Sequence, residues 1–513
     1  MKKIILSACI CLSMLFTTGC SDWLDVNHDP NVLEEIPSGK ILLPAAELNI
    51  GNSLMGWDLG FAGGFWSEYW TQKYTGSQFK SLCEYDETSF NYAYMNFTSG
   101  ALTDLKKIKE LSTAETDKGY YFIAEALSIY TWQLITDIWG DIPYSEALKG
   151  SEGIVSPKFD KGQDIYADLL NRIDALLGTD LSGAQIDSNY DFIYAGDLNK
   201  WKAFANTLKL KLMLRQSETD GYNNAAVVTF IESNELLTST AKVSGSTWSD
   251  GQEGKRHPMR EFQASGANYF STNVVGCKNF VDYLNNNNDP RLDKLFTIAD
   301  SKVGYRGAFF GDFDSKEKSD GSTRDDQVNY CTARIDADLD LVYMSDWETY
   351  FYVAEVYARA NDYDKARTAY ENGVKASLAQ HDIAASDIIE ADGYAEWQTP
   401  ANAEAAIKQI GMQKWVANAN YQHIESFLER NRIKYPALYD TDIKSNRTGA
   451  YSDLKIPGNL TVAVNGRAKL NNTLPASPIY PDEIMARNEN SPAQKANLGV
   501  KVWWNQKAEV TIK

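Results

Sequence analysis

The chain is poor in the side chains that usually announce an enzyme. Of 513 residues only four are histidine, and His28, His257, His381 and His423 lie far apart. None stands four residues from another, so the helical HExxH zinc pattern is absent. No GxSxG elbow, P-loop or GxGxxG stretch occurs either. Cysteine is equally scarce. Of six, Cys9 and Cys11 fall in the first apolar stretch and Cys20 directly follows it. Cys83, Cys277 and Cys331 remain, an odd number with no CxxC pair. That excludes a disulfide-built framework and leaves room for one disulfide or for buried free thiols. Basic charge is in deficit, with 50 Lys and Arg against 69 Asp and Glu and a net charge of -19. A chain this acidic lacks the basic face that nucleic acid or anionic lipid requires. Proline numbers only 14, and 43% of residues are apolar, which excludes collagen-like and wholly disordered chains. Beyond residue 16 no apolar run approaches the ~18 residues a membrane-crossing helix needs.

What is present begins at the N-terminus. Lys2 and Lys3 precede an apolar stretch from Ile4 to Phe16, the layout of a secretory signal. Thr17-Thr18-Gly19-Cys20-Ser21 follows, small residues up to a cysteine, as in a bacterial lipobox. Residues 1–19 are therefore expected to be removed and Cys20 to carry lipid. Acyl chains, at ~0.8 kcal/mol per buried methylene, would anchor the chain without threading it through a bilayer. Residues 20–40, with Pro30 and Pro37 and no periodicity, read as an extended tether.

Helical periodicity then dominates. Ile123, Leu127, Tyr130, Leu134 and Ile138 repeat at helical spacing within Tyr120–Trp139, and Gly140 and Pro143 stop the pattern. Asp164–Leu177 is a second candidate. In Lys200–Gln216 the stripe is Trp201, Phe204, Leu208 and Leu212, with lysines expected on the other side. The clearest unit is Asp346–Leu378, where Ala354, Tyr357, Ala366, Tyr370 and Gly373 occupy the small and aromatic positions of a tetratricopeptide helix pair. One pair cannot bury its own face, so the earlier helices are its expected partners. Residues 241–340 and 381–400 are rich in Gly, Ser, Asn and Asp with weak periodicity, and long irregular insertions on a helical scaffold tend to carry function. Asp312, Asp314 and Asp320-Gly321 hint at calcium, but the spacing departs from an EF-hand loop and no Glu closes it. A solvated acidic loop is the reading taken, with no metal and no cofactor.

These pieces occur in the order found in one family. Ser21-Asp22-Trp23-Leu24-Asp25 and Asp29-Pro30-Asn31 follow the lipobox. Then come Thr136-Asp137-Ile138-Trp139-Gly140-Asp141-Ile142-Pro143-Tyr144, Gly196-Asp197 through Trp201, and Asn288-Asp289-Pro290-Arg291-Leu292. Gln413-Lys414-Trp415, Tyr480-Pro481 and Trp503-Trp504 complete the series. On these motifs the chain resembles the SusD/RagB family of nutrient-binding outer-membrane lipoproteins of Bacteroidetes, in its SusD-like_2 branch. One departure is Glu429-Arg430-Asn431-Arg432 with Lys434-Tyr435-Pro436, where the family often has an Arg-Arg pair before a Gly-Tyr-Pro-like turn. The resemblance implies a mainly α fold on tetratricopeptide-like helical pairs, with long irregular loops forming a ligand face. It implies a single domain over 41–513, with scaffold at about 41–235 and 341–380 and ligand-side insertions at about 236–340 and 381–480. It further implies a non-catalytic lipoprotein on the outer face of the outer membrane that captures oligosaccharides for a SusC-like, TonB-dependent transporter.

The 13 Trp, 29 Tyr and 20 Phe give that role its chemistry. An aromatic ring covers the C–H face of a sugar, worth on the order of 1 kcal/mol by analogy with aromatic pairs, and polar groups read the hydroxyls. Most rings are expected in the core, including Trp57, Trp66, Tyr69 and Trp70 and the scaffold residues Trp132, Trp139, Trp201, Trp415, Trp503 and Trp504. The ligand candidates, chosen by position and chemistry, are Tyr74, Phe79 and Tyr85 in the first loops and Trp248, Tyr269, Phe270, Tyr305, Phe309 and Phe310 in the mid-chain insertion. Arg260, Asn268 and Arg306 are their polar companions. A peptide-binding member of the same family, a secreted glycosidase acting through a carboxylate pair, and a purely structural helical lipoprotein are the competing readings.

Overall fold

The computed structural model describes residues 38–264, 269–299, 301–302, 304–313, 330–384, 387–443 and 454–513. Cys20 and residues 20–37 of the tether, together with Asn268, Asp314 and Asp320, lie outside them. The chain is built mainly of helices: α1 Leu43–Met55, α2 Leu59–Trp66, α3 Thr103–Leu111, α4 Lys118–Trp139, α5 Gly162–Leu177, α6 Leu198–Arg215 and α7 Asn224–Ser233. They continue as α8 Lys278–Asn286, α9 Asp346–Arg359, α10 Tyr363–Ala379, α11 Ala403–Asn418 and α12 His423–Ile433. Among the described residues the strands are two to four residues long and make two- and three-stranded patches only.

Successive helices pack on one another, α3 on α4, α4 on α5 and α5 on α6, then α9 on α10 and α11 on α12. The hairpin expected over Asp346–Leu378 is α9 and α10. A capping box between Ser345 and Glu348 starts α9, and the Asp362 carboxylate accepts from the Lys365 amide to start α10. Its small residues do what their spacing implies. A Cβ on Gly373 would stand 2.8 Å from the Phe351 ring, so only glycine lets the two helices come this close. Gly63 does the same between α2 and α12, where an added Cβ would meet the His423 backbone at 2.4 Å. Gly140, at φ 85°, ends α4. One continuous apolar core runs from Leu43 to Trp504.

Two expectations are corrected. Residues 381–480 are not uniformly irregular, for they contain α11 and α12, and every residue of α12 is buried. Lysines also do not all face outward from α6, since Lys211 is buried with the stripe. Both corrections have one cause. Arg215 of α6 bonds Asp137 of α4 (2.8 Å), Glu425 (2.6 Å) and Glu429 (2.5 Å) of α12. Lys211 pairs with Glu348 (3.0 Å) and Glu425 (2.9 Å). Arg432 clasps Glu355 of α9 (2.6 Å) and Glu429 (2.6 Å), and Lys414 of α11 completes the set on Glu429. Four cations meet five carboxylates inside the protein, so a sequence rich in charge is compatible with full burial.

Cys83, Cys277 and Cys331 are free and buried, and burial pushes the Cys331 thiol up to about 12. Among the described residues no helix is long and apolar enough to cross a membrane.

Two outcomes follow from the ionic network. Arg215→Met leaves three buried carboxylates short of a cation and should cost about 3–5 kcal/mol, read as a lower urea midpoint at unchanged m. The second is a pH effect. Burial alone would raise the Glu355 carboxyl, but Arg432, Arg359 and Lys414 more than offset it and hold it at about 2 against an ordinary 4.5. A depressed carboxyl contributes stability that is present above its unfolded value. Thermal scans should therefore show Tm falling as pH drops from about 4.5 toward 2.

A candidate ligand-binding cleft

The first loops and the mid-chain insertion do meet. Trp70–Gln72 pairs antiparallel with Val274–Gly276, Trp70 opposite Gly276. Around this short ladder the rings of both segments interlock. Phe61 of α2 stacks on Phe79 at 4.7 Å and meets Phe262 edge-on at 5.3 Å, and Phe270 lies edge-on to Trp70 at 5.3 Å.

That interlocking decides the fate of several candidates. Phe79, Tyr85, Phe270, Phe309 and Phe310 are all buried and present no face to a ligand. The Tyr85 hydroxyl accepts from the Ala463 amide at 3.1 Å, and its ring lies 6.0 Å from that of Phe310. Phe309 packs into a small core with Tyr439, Ile443 and Ile456. Of the insertion's phenylalanines, Phe270 and Phe310 join the main core, and Phe309 belongs to the small one. Asp312 is also buried. Among the described residues no three potential metal ligands gather.

Tyr74, Trp248, Arg260, Tyr305 and Arg306 are half-buried. Trp248 donates its indole N–H to the Leu339 carbonyl (3.0 Å) and meets the His257 ring edge-on. Arg260 spends its guanidinium on Asp250 (3.0 and 3.1 Å) and on the Ile335 carbonyl. Arg306 lies 5.7 Å from the Tyr330 ring. Tyr269 opens the short helix Tyr269–Asn273. No cleft described below gathers Tyr74, Trp248, Arg260, Tyr305 or Arg306.

The aromatic cluster opens to solvent at its edge. Trp57, in the turn between α1 and α2, leans on Phe61 (5.6 Å), Phe79 (5.0 Å) and Phe262 (4.8 Å) and is half-buried. The next residue, Asp58, accepts from the Ala93 amide at 2.9 Å and so pins the helix Asn91–Met95 beside Trp57. That helix carries Tyr92, whose side chain is 76% exposed. Between them is a cleft of about 320 Å³, with Asn52, Ser53 and Asn96 completing its wall. Burial raises the Asp58 carboxyl above its ordinary value, and the amides of Ala93 and Tyr92 pull it part of the way back. Two aromatic rings with two exposed amides and a carboxyl form a set that fits a polyhydroxylated ring.

Trp57, expected in the core, stands at its solvent edge, and Tyr92 is not among the sequence candidates. A signal was available. Ala93, Tyr94 and Phe97 form the buried stripe of that segment, and Tyr92 falls out of phase with it.

A family model described as starch-binding and associating with the outer membrane, SusD-like_2, matches residues 42–460. A comparison with curated proteins found no match. Among solved structures, a SusD homologue from Bacteroides uniformis superposes with a TM-score of 0.70 at 21% identity, covering 91% of this chain and 99% of its own. A chitin-binding SusD homologue from Flavobacterium johnsoniae gives 0.70 at 17%, covering 91% and 99%. A SusD homologue from Bacteroides thetaiotaomicron gives 0.67 at 20%, covering 92% and 100%.

Proposed function

Since the chain belongs to the SusD-like_2 family, we propose that it is a non-catalytic surface lipoprotein that binds neutral oligosaccharides and passes them to a SusC-like, TonB-dependent transporter of the outer membrane. The observation that carries the binding half is Tyr92. A ring 76% exposed shares one cleft with half-buried Trp57, with Asn52 and Asn96 at the rim. A sugar would cover both rings and leave its hydroxyls to the amides and Asp58. The family's description as starch-binding and the chitin-binding relative support that ligand class. The acidic charge supports neutral rather than anionic glycans. Lipidation at Cys20 would place the cleft at the cell surface, beside a barrel partner.

Calorimetry against a panel of starch, chitin and other glycan oligomers, with peptides included, tests the reading. At least one glycan should bind without being cleaved, and Tyr92→Ala should weaken it roughly tenfold, the worth of one stacked ring. Binding of peptides alone would move the chain to a peptide-capturing role. Product release abolished by a single carboxylate change would make it a glycosidase. For the anchor, Cys20→Ser should move the protein from the membrane fraction to the soluble one. A variant that still sediments with membranes argues against lipidation.

A further inference from the structure

Helix α4 is buried along nearly its whole length, Lys118 and Tyr121 excepted, and Tyr121 is 40% exposed. Tyr121 begins a stripe, continued by Glu125, Ser128 and Trp132 at spacings of four, three and four, that faces an open cleft of about 630 Å³. Asp168 and Arg172 of α5 and Lys106 and Lys109 of α3 face the same space, and the loop around Tyr144 closes one end. Three helices thus turn polar and aromatic stripes toward one another where simple packing would have used apolar ones.

The polar groups are held in fixed positions. Arg172 bonds Glu125 through Nε (2.7 Å) and the Tyr144 hydroxyl oxygen through a terminal nitrogen (2.7 Å). Lys109 bonds the other Glu125 oxygen at 2.6 Å. The Tyr144 hydroxyl donates to Asp168, and its ring stands edge-on to Trp132 at 5.1 Å. Helices rather than loops carry most of these groups, so they are preorganised. The lining holds four cations against five carboxylates, which favours neither an anion nor a cation. The volume lies within the range of small-ligand sites, about 300–1,000 Å³.

We infer that this cleft is a second saccharide-binding site, in which a neutral hexose unit covers Tyr121 while Arg172, Asp168 and Lys109 bond its hydroxyls. It shares with the proposed function only the class of ligand, and none of its lining residues lines the Tyr92 cleft. The test uses the full-length mature protein with maltoheptaose and chitohexaose as probes. Calorimetric stoichiometry and hydrogen–deuterium exchange are compared for wild type, Tyr92→Ala, Tyr121→Ala and the double variant. Tyr121 is exposed, so its variant should melt as wild type does. The expected result is that one of the probes protects peptides of α4 and α5 and still binds Tyr92→Ala, and that adding Tyr121→Ala weakens this residual binding roughly tenfold. A single site abolished by Tyr92→Ala overturns the assignment. So does the absence of α4 protection by both probes at millimolar concentration. Unchanged saccharide binding by Tyr121→Ala with lost co-purification of an outer-membrane barrel would make the cleft a protein-docking face instead. Loss on Tyr121→Ala with none on Tyr92→Ala would leave this site standing and remove the Tyr92 reading.

Discussion

Everything in the scaffold is arranged around the guanidinium of Arg215. It is fully buried and bonds carboxylates of α4 and α12 at once. Taking such charges out of water costs several kcal/mol each, and their mutual attraction offsets that only when the geometry is close to ideal. The condition propagates. Glu425 must also meet Lys211 and the Tyr352 hydroxyl, Glu429 must meet Lys414 and Arg432, and Arg432 must meet Glu355 and the Ser217 hydroxyl. A slip of one turn in any of α4, α6, α9, α11 or α12 would strand a buried charge. Apolar packing alone tolerates such slips far better, because one methyl resembles another. The network therefore specifies how the helices align more than it adds to their stability.

A second buried pair does the same for the insertion. Asp289 and Arg291 are both buried, and Arg291 also reaches the Ser377 hydroxyl, the Tyr394 hydroxyl oxygen and Gln413. The turn at Asn288-Asp289-Pro290 is thereby bolted to α10 and α11. Scaffold and insertion share one core.

This explains what could be read from the sequence and what could not. The helices α4, α5, α6, α9 and α10 were legible because apolar residues recur at helical spacing and caps such as Asp197 and Asp362 stand at their ends. Helix α12 was illegible by that route, since Glu425, Glu429, Arg430 and Arg432 give it the pattern of a solvated face. Only their partners on α6, α9 and α11, far away in sequence, make burial acceptable. The site failed in the other direction. Phe79, Phe270 and Phe310 belong to irregular segments, and composition cannot say that those segments fold inward. Tyr92 was missed because exposure is a property of phase against a neighbour, and the neighbour is Trp57.

The short ladder between Trp70–Gln72 and Val274–Gly276 has a consequence for how the molecule comes into being. It joins segments some two hundred residues apart, and nearby the Tyr69 hydroxyl reaches the Trp415 carbonyl, 346 positions away. Contacts of such range must close large loops before they return any free energy, which makes them slow to form. A chain emerging from synthesis can raise α4 to α6 early, but the cluster behind Trp57 waits for residues beyond 415. The surface around Trp57 and Tyr92 thus waits for most of the chain to be made, and in the interval its phenylalanines stay open to aggregation.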